Sequence, residues 1–250
     1  MQLPVRSAAV LAALALAVLA ASRVQAVSPR SSLSPQGLWR HANSIVEVST
    51  YPSDLAALLD TQIIEGTGFF IAGGDIVTCY HVISHAHVYI DVTMRNNPAP
   101  HYQGRVYHAH VVATDLAQDL AILALDNHWD APPLPLGNPG RLRVGSRVAV
   151  FGHEGGGPLR VQMGIYEGRV ARELVDTYGV LHNMLAMYDK TEPGDSGSPI
   201  FGLGGSVIGV DESYAGHWAY AAVPITALHD IVGATERTEA VNRGGRLRSG

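Results

Sequence analysis

Gly194-Asp195-Ser196-Gly197-Ser198-Pro199 places a serine between two glycines, just ahead of the apolar pair Ile200-Phe201, in a context that suits an exposed nucleophile on a tight turn. A serine hydroxyl is inert at neutral pH until a base takes its proton and a third group fixes that base, so the turn needs partners elsewhere. Two lie upstream. Thr78-Cys79-Tyr80-His81-Val82 ends an alternating apolar stretch on a histidine, and Gln118-Asp119-Leu120-Ala121-Ile122-Leu123 opens another strand on an aspartate. Ser196 as nucleophile, His81 as general base and Asp119 as the group that orients the imidazole form a set for acyl transfer through a covalent intermediate. The backbone N–H groups of Gly194 and Ser196 are the expected oxyanion donors, since a glycine brings its amide close with no side chain in the way.

Each motif alone also has a bland reading. One histidine among twelve is ordinarily a surface or core residue, an aspartate at a strand start discourages edge pairing, and Gly-Asp-Ser-Gly fits a plain hairpin. The three together, in the order His81, Asp119, Ser196 with strand-like flanks, favour the triad. Short runs rich in Val, Ile and Tyr, separated by Gly, Pro and Asn, predict the elements that must carry it: 44–48, 68–71, 75–79, 87–92, 103–110, 120–125, 147–151, 161–171, 181–187, 199–201 and 206–210. Thr226 to Val232, after Pro224, is the best helix candidate. The proline-rich stretch Ala131-Pro132-Pro133-Leu134-Pro135 divides the pattern, leaving His81 and Asp119 in one β-barrel and Ser196 in a second.

The sequence resembles the trypsin-like serine peptidases, and within them the HtrA-type branch. The triad order is that of chymotrypsin. Gly66-Thr67-Gly68-Phe69-Phe70-Ile71, Ile76 to Ile83, Asp115 to Leu125, Leu136-Gly137-Asn138, Leu142-Arg143-Val144-Gly145, Val150-Phe151-Gly152, Val207-Ile208-Gly209-Val210 and Ala219 to Ile225 carry the resemblance over most of residues 43–230. It implies an all-β, chymotrypsin-like fold of two six-stranded antiparallel β-barrels with a short C-terminal helix. It further implies a serine endopeptidase that acts on polypeptides without metal or cofactor. Two features depart from the branch: Asp195 stands where Asn is usual, and Ser198-Pro199 follows in place of Gly-Gly, closer to glutamyl endopeptidases. Only a short polar tail follows Val232, too little for the PDZ domain that typically comes next.

The segments are expected to be a signal peptide over 1–26, a linker over 27–42, the first barrel over 43–130, the second with its closing helix over 131–233, and a disordered tail over 234–250. Arg6, the apolar run Ala8 to Ala21 and Val24-Gln25-Ala26 read as an export signal cleaved before Val27, with a retained membrane anchor as the alternative. The expected location is periplasmic or extracellular, with no stable membrane association after cleavage. Residues 1–26 contain two arginines and no acids, so the remaining chain has 15 basic against 22 acidic side chains, a net of −7 with histidine neutral. Such a balance argues against nucleic-acid partners, which bind basic surfaces, and the Arg243, Arg246, Arg248 cluster reads as a solvated end. Cys79 is the single cysteine, so no intramolecular disulfide can form; it reads as a small buried hydrophobe.

His81, His85 and His87, and the pair His108 and His110, have no carboxylate or cysteine in a zinc spacing, so no metal is expected. Gly152-His153-Glu154-Gly155-Gly156-Gly157-Pro158 lacks the Lys-Ser/Thr of a phosphate loop and reads as a loop near the cleft. For specificity, Lys190 falls at the expected base of the substrate side-chain pocket and Asp211 on its wall. A Lys190-Asp211 pair would leave a neutral pocket for small or medium apolar side chains, an unpaired Lys190 would favour acidic ones and an unpaired Asp211 basic ones. Buried beside the oxyanion turn, Asp195 needs a partner, and Lys190 is the nearest basic residue in sequence. A catalytically silent peptide-binding protein on this fold, or an esterase using the same triad, are the alternative functions.

Overall fold

This computed structural model describes residues 33–51, 53, 64–84, 90–93, 106–127, 129, 131–170, 174–176, 179–181, 183–188, 192–214, 220–229 and 231. Strands β1 (Ile45–Thr50), β2 (Ile64–Phe70), β3 (Ile76–Cys79), β4 (Ile90–Thr93), β5 (Val106–Asp115) and β6 (Leu120–Leu125) close an antiparallel barrel in the order β1-β2-β3-β6-β5-β4. A second barrel joins β7 (Arg147–Gly152) and β8 (Arg160–Val170) to four later strands. A small hairpin, β9 (Leu174–Asp176) and β10 (Gly179–Leu181), intervenes before β11 (Met184–Tyr188), β12 (Pro199–Phe201), β13 (Val207–Tyr214) and β14 (Tyr220–Pro224), and the closed order is β11-β14-β13-β12-β7-β8. The two six-stranded barrels match the expected fold, and closure removes the unpaired strand edges of an open sheet.

Period-two alternation explains why these strands read as almost continuously apolar. In β7, Val148 and Val150 join one cluster with Leu185, Met187, Ile200 and Ala222, while Ala149 and Phe151 on the opposite face join the larger cluster that includes the first barrel. Both faces are buried, so neither can be polar. The larger cluster also holds Leu38 and Ala42, from helical turns at Pro35–Leu38 and Trp39–Ser44, and Leu33 just ahead of them. Trp39 packs edge-on against Phe151 with ring centroids 5.1 Å apart, and His41 stacks on Phe201 at 5.3 Å. The segment before the first barrel is thus strapped across the second. Burial, with the charge of Arg40 adding to it, lowers the His41 pKa to about 4, so the stacked ring is neutral.

Several boundaries differ from expectation for local reasons. Strand β5 runs on to Asp115 because a bulge between Val111 and Ala113 lets its pairing with β6 continue past a register shift. The run expected over 181–187 splits, since Asn183 at φ +60 separates Leu181 of β10 from Met184 of β11. The helix expected after Pro224 begins as a 3-10 turn at Ile225–Ala227 and continues in helical form through Leu228 and His229. The proline-rich connection is stitched to both barrels: Leu134 N donates to Phe70 O at 2.9 Å and Val207 N to Pro135 O at 2.8 Å. Residues 1–26, expected to be a signal peptide, Val27, the expected tail over 234–250, His85, His87 and Lys190 lie outside the described residues.

Candidate active site

His81 does not continue strand β3. The chain turns at Cys79 into one helical turn, Tyr80–Ile83, and Thr50 Oγ1 donates to Val82 O at 2.9 Å to hold that turn against β1. The pairing of β3 with β6 sets Cys79 opposite Leu120, which brings the next residue back, Asp119, beside His81. His81 Nδ1 lies 2.5 Å from Asp119 Oδ2, and the His81 backbone N–H donates to Oδ1 at 2.8 Å. Tyr80 N–H donates to Asp119 O at 2.9 Å. Asp119 is 2% exposed and sits at φ +51, in the left-handed region, a local strain typical of functional positions. Both carboxylate oxygens are therefore committed to one histidine, which fixes the ring and leaves Nε2 as its second nitrogen.

Cys79 is fully buried. Its thiol donates to Asp211 O at 3.2 Å, and burial, followed by the charges of Asp119, Glu212 and Asp211, pushes its pKa well above the ordinary value. The Cys79, His81 and Asp119 ligand atoms lie within 4.8 Å of one another, but the thiol is held protonated in surroundings already rich in negative charge. His108 and His110 each pair through Nδ1 with an aspartate, Asp91 and Asp126, at 2.7 Å on the outer face of the first barrel.

Ser196 sits on a turn shaped by two glycines at positive φ, Gly194 at +98 and Gly197 at +89. Its Oγ donates to the Glu212 carbonyl at 3.0 Å. Among the described residues the N–H groups of Gly194 and Ser196 have no acceptor, while Asp195 N, Gly197 N and Ser198 N bond Glu192 O, Asp211 O and Asp195 O at 3.0, 2.7 and 2.8 Å. Two unpaired amides on one turn, next to a serine hydroxyl, are what an oxyanion needs. The peptide plane that carries Gly194 N–H is fixed from behind, because Gly155 N donates to Pro193 O at 2.6 Å.

Asp195 is 1% exposed. Its Oδ2 accepts from Gln162 Nε2 at 2.9 Å and from Glu192 N at 3.0 Å, and its Oδ1 has no hydrogen-bond partner among the described residues. Burial raises its pKa to about 6, with the charges of Glu154 and Glu192 adding to the rise and the two hydrogen bonds opposing it. Among the described residues its side-chain partner is thus a neutral amide, and Lys190, the basic residue expected beside it, lies outside them. Gln162 lies on β8, opposite Val150 of β7, and no local signal marked it. Asp211 is 1% exposed, with its N–H donating to Ser198 O and its carbonyl accepting from Gly197 N and the Cys79 thiol.

A family model described as a trypsin-like peptidase domain matches residues 66–210. Among curated proteins, serine protease Rv3671c of Mycobacterium tuberculosis is 30% identical over 153 residues, covering 60% of this chain and 36% of that protein. A probable periplasmic serine endoprotease, DegP-like, of Rickettsia prowazekii is 29% identical over 208 residues, covering 78% and 38%. The chain therefore spans little more than a third of the length of these relatives. Among solved structures, the active form of the Rv3671c protease superposes with a TM-score of 0.65 at 24% identity, covering 83% of this chain and 87% of that one. The HtrA-type protease AlgW with a tripeptide gives 0.64 at 22%, covering 80% and 63%.

Proposed function

The chain belongs to the trypsin-like peptidase family, and on that footing we propose that it is an exported serine endopeptidase whose triad is His81, Asp119 and Ser196. The observation that carries the proposal is the buried Asp119 carboxylate bonded to both the ring and the backbone of His81, together with a serine turn whose Gly194 and Ser196 N–H groups have no acceptor among the described residues.

In the reaction, Ser196 Oγ turns from the Glu212 carbonyl toward His81 Nε2 and attacks the scissile carbonyl carbon. Its proton passes to Nε2, and the carbonyl electron pair becomes an oxyanion facing Gly194 N–H and Ser196 N–H. One such donor is worth about 3 kcal/mol. Collapse breaks the C–N bond, the imidazolium protonates the leaving amine, and water then repeats the sequence to release the acid. The Asp119 carboxylate holds the ring through both steps and stabilises the imidazolium.

Extended substrate has a docking edge in β13. Strand β12 pairs with β13 only as far as Val210, so Glu212 to Tyr214 have β14 on one side and, among the described residues, no strand on the other. Specificity for small or medium apolar side chains follows if Lys190 neutralises Asp211. A peptide library tests this: strong selection of acidic residues indicates a free lysine, and of basic ones a free aspartate.

Labelling by a biotinylated fluorophosphonate, lost in Ser196→Ala, together with cleavage of a peptide substrate, tests the activity; absence of both in folded wild-type protein sinks it. Ester turnover without peptide turnover would favour the esterase. Export with cleavage before Val27 is tested by N-terminal sequencing of the secreted chain, and Met1 on a membrane-extracted enzyme would overturn it.

A further inference from the structure

We propose that Thr67 and Thr78 form a buried hydroxyl strut that sets the position of the Ser196 turn relative to His81, with Thr67 as a positioning residue. The inference rests on the peptidase reading for its effect on turnover and on geometry alone for its effect on structure.

Thr67 lies in β2 of the first barrel and is completely buried, yet its polar atoms reach the second barrel. Its N–H donates to Ser196 O at 2.8 Å. Its Oγ1 donates to Gly194 O at 2.8 Å and accepts from His153 N at 3.0 Å. Its carbonyl accepts from Thr78 Oγ1 at 2.8 Å. Thr78, also completely buried, belongs to β3, three residues before His81.

The bonds form a continuous path. From the strand that delivers His81, Thr78 holds Thr67, and Thr67 grips the serine turn on both sides of Asp195 while also fixing the start of the His153 to Gly157 loop, whose Gly155 holds the Pro193 carbonyl. One residue thus touches the Gly194–Asp195 and Ser196–Gly197 peptide units and, through the loop, the peptide unit that carries Gly194 N–H. Close packing reinforces the grip. A Cβ on Gly197 would stand 2.0 Å from Thr67 O and 2.6 Å from Thr78 Oγ1, so the turn approaches the strut as nearly as a backbone can. Hydrophobic contact between the barrels has no direction, whereas five hydrogen bonds on one short path fix register.

Thr67→Val keeps the shape and deletes the hydroxyl; Thr67→Ser keeps the hydroxyl. In Thr67→Val, kcat on a peptide substrate is expected to fall about 10²-fold, as misplacement of a reacting group does, with KM moving by less than about 3-fold, because the loss is confined to the transition state. Amide hydrogen exchange in segments 153–157 and 192–198 should quicken well below the melting temperature. Thr67→Ser should restore both. Thr78→Val, which loosens the far end, should give the same pattern at about 10-fold.

A Thr67→Val protein with a lowered melting temperature but unchanged kcat at a temperature where it is folded overturns the proposal, leaving Thr67 as packing. Thr67→Ser behaving no better than Thr67→Val overturns it too. Should Thr67→Val fail to fold, Thr78→Val decides, and wild-type exchange and turnover there reject the strut. Where wild-type protein itself neither labels with fluorophosphonate nor cleaves peptide, the peptidase reading fails, and the exchange measurements still judge the strut.

Discussion

Gln162 on β8 donates an amide hydrogen to the buried carboxylate of Asp195 at 2.9 Å, so the residue before Ser196 has, among the described residues, a neutral side-chain partner. A neutral donor offsets only part of the cost of ionisation, which is why the Asp195 pKa rises from 3.8 to about 6. The folded state then binds a proton more tightly than the unfolded chain between those values. Stability contributed by this site is greatest at low pH and is lost as pH climbs from about 4 through about 6.

Asp195→Asn removes that dependence. Asn keeps an acceptor for Gln162 Nε2 and Glu192 N–H and places a donor near Ser198 Oγ, which has no partner among the described residues. The variant should be more stable than wild type at pH 8 by up to roughly 3 kcal/mol, a rise in melting temperature of up to about 10 °C, and no more stable at pH 4. Calorimetry at the two pH values checks it, and an equal gain at both would remove Asp195 ionisation as the cause.

Ser196→Ala should fold as wild type and lose peptidase activity by at least about 10³-fold, retaining what binding and the oxyanion donors supply. Kinetics on one peptide substrate, with circular dichroism alongside, measures both. Near-normal turnover would exclude Ser196 as nucleophile.

Asp119→Asn changes charge without changing backbone demands, because asparagine tolerates the positive φ that Asp119 adopts. The melting temperature should stay close to wild type while kcat falls by about 10⁴-fold, the wrong imidazole tautomer being favoured. Asp119→Val, with a branched side chain at φ +51, should also lose stability. Thermal melts of the pair separate the backbone effect from the catalytic one.

Cys79 should resist thiol reagents in the folded protein and react on unfolding, since its thiol is buried and its pKa is raised. Counting labelled thiols with and without denaturant checks this, and rapid labelling of active enzyme would show an opening beneath His81.

The candidate triad stood out in the sequence because each member sits in a local pattern: a serine between turn glycines, a histidine and an aspartate at the mouths of apolar runs. The barrels were legible from alternation broken by Gly and Pro. What the sequence did not display depends on contacts between distant stretches. Thr67 reads as one polar position in Gly66-Thr67-Gly68, and its reach to Gly194, 127 residues away, exists only once the barrels meet. Gln162 is similarly silent, being an ordinary polar residue of a strand until the turn 33 residues later folds over it. The turn of backbone at Tyr80 was hidden for a local reason, since Val82 and Ile83 prolong the apolar run that β3 begins.

Trp39 and His41 rest on Phe151 and Phe201, rings that leave the ribosome more than a hundred residues after them. The strap cannot close on a nascent first barrel, because Trp39 must wait for Phe151 of β7 and His41 for Phe201 of β12. Pairings of such long sequence separation are slow to form. The strap therefore closes only after the serine turn at Gly194 to Gly197 has itself been made, so its docking is one of the last contacts between the two barrels to form.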